Sequence, residues 1–257
     1  MDVIPYFYWR PNRPELQQNF GDEMTKWILR RVTNKKLKSV SCNYQGKLLS
    51  IGSVMHYAKN DDYIWGTGVN GKIKTNTNTY ISNKINRLNI HAVRGEKTKQ
   101  ILIKHGLKCP DVFGDPGLLF SHLYPEFKAK PIKNNIKIFS HYHDKKFFES
   151  EEFNQVNKIS IIHADWSFEK ILNEILECEF LISTALHGLI IADSFNIPNR
   201  YMRVTESEHL LKFDDYYSGT NRHTYKYART VNESLDMGCV ERCEFNLKEL
   251  IDSFPFK

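Results

Sequence analysis

Short apolar runs alternate along this chain with polar, turn-rich loops and with helical spacings. Residues 2–9 (DVIPYFYW) are the first such run and predict an opening strand. Asn19-Phe20-Gly21-Asp22 reads as a turn, with Asp22 placed to cap a helix over about residues 23–32. Further strands are predicted at 48–51, 63–65 and 90–93, running out at Gly52-Ser53, Gly66-Thr67-Gly68 and Arg94-Gly95, and a helix over 96–105 follows the last. Strand, polar turn and helix in repetition predict a parallel sheet with helices on its faces.

The pattern then breaks and restarts. Residues 124–131 (YPEFKAKP) carry two prolines and three charges and read as a linker. Strands follow at 136–140 and 159–163. A helix over 167–176 places Phe168, Ile171, Leu172 and Ile175 on one face. Phe180-Leu181-Ile182 is a strand, residues 183–188 (STALHG) turn into a helix ending near 195, and Tyr201-Met202 is a last short strand. The expectation is an α/β protein of two Rossmann-like domains, 1–125 and 132–257, facing across a cleft where strand carboxyl ends converge.

At 257 residues, 41% hydrophobic and 26% charged, the chain suits an ordinary globular protein. No run approaches the roughly 18 apolar residues of a membrane span. The first fifteen residues lack the pattern of a secretory signal, and five cysteines are an odd count. A cytoplasmic protein with reduced thiols is expected. A formal charge of +6 favours anionic partners, but dispersed Lys and Arg without an interleaved aromatic motif argue against nucleic acid.

Candidate chemistry sits at the strand ends. The glycine loops at Gly52, at Gly66 and Gly68, and at Gly114-Asp115-Pro116-Gly117 let backbone amides approach a ligand, or simply make tight turns. Arg94, between a strand and a helix, suits a carboxylate or phosphate, or a structural ion pair. His187 in Leu186-His187-Gly188 is placed for acid–base chemistry or phosphate binding. Lys212, flanked by apolar residues, and Arg203 are further cations near the last strand. Cys239 and Cys243 form a lone pair and His141-Tyr142-His143 sits alone, so no metal site is expected.

Several of these segments occur in an order that resembles the polysaccharide pyruvyl transferases. They are Asn19-Phe20-Gly21-Asp22, residues 64–68 (IWGTG), 93–98 (VRGEKT), 114–117 (GDPG) and 183–193 (STALHGLIIAD), continuing through Phe213-Asp214-Asp215-Tyr216. The likeness spans about residues 17–218 and is nearest to the ketal-forming exopolysaccharide branch. It implies a GT-B-like fold, with an acceptor side in the first domain and a donor side in the second. It implies phosphoenolpyruvate as co-substrate, no other cofactor, and a glycan acceptor, polymeric or lipid-linked, the latter bringing the protein to the inner membrane face. Pyruvate would become a ketal on a sugar and phosphate would leave. Arg94 and His187 occupy the family's donor-site positions, and Gly66, Gly68, Ser183 and Leu186 fall within its motifs. Some members carry arginine where this chain has Ala185, so that charge is either absent here or supplied by Arg203 or Lys212. On this reading His187 is the acid that protonates the donor's methylene carbon, and Asp22 or Asp115 takes the acceptor's proton. Two other functions fit the same residues: a glycosyltransferase using a nucleotide sugar, and a non-catalytic glycan-binding relative.

Overall fold

The computed structural model describes residues 2–10, 19–72, 80–156 and 158–257. Residues 17 and 18, where the family resemblance begins, lie outside these. Among the described residues two parallel sheets form. The first contains β1 (Val3–Phe7), β2 (Lys36–Ser39), β3 (Leu48–Leu49), β4 (Tyr63–Trp65) and β5 (Asn89–Ala92), in the order β2-β1-β3-β4-β5. The second contains β6 (Ile136–Ser140), β7 (Ser160–His163), β8 (Phe180–Ser183) and β9 (Asn199–Tyr201), in the order β7-β6-β8-β9. Every pair is parallel, so each connection must cross over the sheet.

The helices are α1 (Phe20–Val32), α2 (Glu96–Lys104), α3 (Phe120–Leu123), α4 (Lys145–Phe148), α5 (Glu151–Val156), α6 (Phe168–Leu176), α7 (Leu186–Ser194), α8 (Leu211–Ser218), α9 (Val231–Met237) and α10 (Leu247–Asp252). Their starts follow local chemistry. Asn19, rather than Asp22, caps α1, its side chain accepting from the Gly21 amide, and Ser167 caps α6 in the same way from Lys170. Helix α7 is apolar round most of its circumference because it is buried there, His187 and Asp193 being the half-buried exceptions.

A shared core joins the two halves. Phe20 of α1 stacks on Phe168 of α6 with ring centroids 4.8 Å apart, and meets Phe139 of β6 edge-on at 5.4 Å. Trp27, one helical face further along, stacks on Phe168 at 4.8 Å. Helix α1 therefore lies between the sheets and anchors one to the other. The tail also crosses back. Leu250 accepts a hydrogen bond at its carbonyl from Trp65 Nε1 at 3.0 Å, Phe254 meets the Trp65 ring at 4.8 Å, and Phe256 meets Tyr63 at 4.6 Å.

Both sheets have a point where strand order reverses, between β1 and β3 and between β6 and β8. In open parallel sheets ligands bind beyond the carboxyl ends of the strands at such a point. The residues just past these ends are Tyr8-Trp9, Ser50 to Ser53, His141 to His143 and Thr184 to His187.

Candidate functional site

One cavity of about 260 Å³ is lined from both halves, by Trp9, Asp22, Ser53 and Lys72 on one side and by His141, His187, Glu208 and Lys212 on the other. Its contributors come from the two strand-order reversals, from the first turns of α1 and α7, and from the loop leading into α8.

His187 stands in the first turn of α7 with Leu186 beside it on the cavity wall. Its ring lies so close over Gly21 that a Cβ there would overlap it. Nε2 is buried with no hydrogen-bond partner among the described residues. Burial, and then the charges of Lys212 and Arg94, lower its pKa to about 3, so the imidazole is neutral. Asp22 behaves oppositely. Burial lifts its carboxyl well above the usual range, Asp115 adds to the rise, and Lys212 only partly opposes it. Gly52, at φ 95°, keeps clear the space that the Asp22 carboxylate occupies.

Lys212 projects from α8 into the cavity and is bonded to Glu208, four residues earlier. Burial lowers its pKa, and the Glu208 charge works against that. Lys72 reaches the same carboxylate from the first half at 2.7 Å. His143 Nδ1 lies 3.1 Å from Glu208 Oε1, and His141 Nε2 lies 3.8 Å from it. His141 and His143 therefore do not sit alone: with Glu208 they bring potential metal-ligand atoms within 4.8 Å of one another. Each Glu208 oxygen, however, already faces an ammonium group. Burial would raise the Glu208 pKa, but the His143 hydrogen bond and the Lys212 charge outweigh it and hold the group ionised.

Other sequence candidates are placed differently. Arg94 is fully buried behind the wall. Its guanidinium donates to Asp215 at 2.9 Å, to the Val69 carbonyl at 2.9 Å and to Ser53 Oγ at 2.6 Å; only Ser53 reaches the cavity. Asp115 is buried and accepts from the Gly117 amide at 2.9 Å; burial raises its pKa to about 6, against backbone hydrogen bonds from Gly117 and Gly52. Gly66 and Gly68 serve close packing: side chains there would overlap Pro116 and the Arg94 guanidinium. Ser183 Oγ bridges the Ala185 amide and carbonyl at 3.1 and 2.7 Å, shaping the turn into α7. Arg203 pairs with Glu206 on its own loop and is not among the cavity's lining residues. Of the two candidates to replace the charge missing at Ala185, Lys212 is the one that faces the cavity.

Sequence reasoning did not single out Glu208, Lys72, Ser53 or His56 as site residues. His56 lines the cavity beside the Ser53 backbone, and burial lowers its pKa to about 4. The usable signal was position just past a strand end, which Ser53 and His141 share; Glu208 and Lys72 sit in irregular loops and carried none.

The sequence model of one family, described as polysaccharide pyruvyl transferase, matches residues 19–205. An uncharacterized protein of Acanthamoeba polyphaga mimivirus is similar at 29% identity over 236 residues, covering 85% of this chain and 78% of the relative. No solved structure matches significantly.

Proposed function

The chain belongs to the polysaccharide pyruvyl transferase family, and from that premise we propose that it moves pyruvate from phosphoenolpyruvate onto a sugar of a surface-polysaccharide or lipid-linked precursor, forming a ketal and releasing phosphate. The observation that carries the reading is the cavity itself, in which Lys212 and Lys72 accompany a neutral imidazole and a raised-pKa carboxyl. Phosphoenolpyruvate bears a phosphate and a carboxylate and needs cations in a confined space. In this reading the arrangement is a GT-B-like one, with the donor against α7 and α8 and the acceptor against the β1 and β3 ends. There Trp9, stacked on Tyr142 with centroids 6.4 Å apart, offers an aromatic face to a sugar ring.

The protonation states favour roles opposite to those expected from sequence. Asp22, held protonated by burial, gives its proton to the methylene carbon of the donor. The resulting cationic C2 is attacked by an acceptor hydroxyl, whose proton passes to neutral His187. A second hydroxyl then attacks C2 as the C–O bond to phosphate breaks, and that hydroxyl's proton leaves with the phosphate. His187 returns its proton to Asp22, directly or through solvent, and the balance closes. Lys212 neutralises charge on the departing phosphate.

Incubating the protein with phosphoenolpyruvate and an extracted host glycan precursor in heavy water tests this. The expected product is a pyruvyl ketal carrying deuterium in its methyl group, formed in step with phosphate. Consumption of nucleotide sugars instead would point to a glycosyltransferase, and glycan binding with no phosphate released would point to a non-catalytic relative.

A further inference from the structure

The basic groups of the cavity converge on a carboxylate that belongs to the protein. Glu208 is 8% exposed, in the irregular loop between β9 and α8. One oxygen faces Lys72 at 2.7 Å and His143 at 3.1 Å, and the other faces Lys212. The donors come from three separate parts of the chain, and Lys72 comes from the opposite half of the molecule. Two carboxylate oxygens thus serve three groups, with Lys72 and His143 sharing one of them.

We propose that this cradle is a phosphate site in a self-occupied state, with Glu208 standing where a phosphate group binds and leaving when one arrives. The donor's identity rests on the reading above, whereas the class of ligand, a phosphate monoester or phosphate itself, rests on the cradle. Two ammonium groups against one carboxylate leave an excess positive charge, and a phosphate dianion cancels it fully. Three phosphate oxygens also give Lys72, Lys212 and His143 one acceptor each, whereas Lys72 and His143 now share a single carboxylate oxygen. The swap costs the protein little scaffold. Lys212 is fixed on α8 while Glu208 is on a loop without regular structure. Arg203, although paired with Glu206, still offers the released carboxylate a donor. Arg203 donates to the Glu208 carbonyl at 3.4 Å, and its buried Nε has no partner among the described residues. A divalent metal on His141, His143 and Glu208 is the competing use of these atoms. It is disfavoured because both ammonium groups already lie against the carboxylate that would have to ligate it. Displacement also replaces the protein's own bridge between its halves, Lys72 to Glu208, with a ligand's.

The test is titration of inorganic phosphate into the full-length protein by calorimetry, in wild type, Glu208→Gln and Lys72→Met. Removing the internal competitor raises the fraction of open cradle, so Glu208→Gln binds phosphate roughly tenfold tighter or more, and Lys72→Met binds it more weakly. Unchanged or weaker binding in Glu208→Gln overturns the proposal and makes Glu208 a fixed partner of the lysines. So does stoichiometric zinc binding that is lost in His143→Ala. Should Glu208→Gln not fold, a wild-type crystal soaked in phosphate decides: the ion between Lys72 and Lys212 with Glu208 moved away supports the proposal, and Glu208 still in place overturns it. These readouts do not involve turnover. A protein that binds phosphate this way but never uses phosphoenolpyruvate refutes the pyruvyl-transfer reading and leaves the cradle standing.

Discussion

Arg94 shows how a residue can be found by sequence while its job stays open between an anionic ligand and an ion pair. Its place between a strand and a helix, followed by glycine, was legible. Its burial was not, because that depends on Asp215, 121 positions away, and on the carbonyl of Val69. Its guanidinium is spent on the protein, and it reaches the cavity only by holding Ser53. Arg94→Ala should therefore act first on stability. Losing one partner of a buried ion pair costs about 3–5 kcal/mol, and thermal unfolding should shift down by roughly 10 °C or more. An unchanged melting temperature with lost donor binding would return Arg94 to the ligand. Gly21 is the converse case. The sequence marks it as part of a turn, but only the structure supplies the reason for glycine, the imidazole of His187 lying over it.

At the level of elements, period and punctuation read well where burial is one-sided or complete. The apolar runs at β4, β6 and β8 and the single apolar face of α6 fall within a residue of expectation. Strand β2 went unread: Lys36–Ser39 is charged and lies on a sheet edge, where polar residues protect an unpaired flank. The tail was unread for another reason. Helix α10 is short, and the partners of the tail, Trp65 for Leu250 and Tyr63 for Phe256, are nearly two hundred positions earlier. Phe254, 3% exposed and edge-on to Trp65, anchors this return. Phe254→Ala should cost about 3–4 kcal/mol, seen as a lower urea midpoint. A shift under about 0.5 kcal/mol would mean the tail is a passenger.

Across the whole molecule, two parallel sheets meet through a continuous core, and their strand-order reversals open on one cavity. The two-half layout was legible because strand and helix signals stop and restart around a proline-flanked linker. The cavity's chemistry was legible only in part. His187, Asp22 and Lys212 each stand beside a recognisable boundary, whereas Glu208 and Lys72 meet through loops with no periodic signal. No helix among the described residues is long and apolar enough to cross a membrane. The central claim is that this shared cavity performs the proton transfers of pyruvyl transfer. Its most direct test is the rate of phosphate release from phosphoenolpyruvate, with glycan precursor present, for wild type, Asp22→Asn and His187→Ala. Each substitution should slow release at least roughly a hundredfold while the melting temperature stays within a few degrees. Wild-type rates in both folded variants would contradict the account.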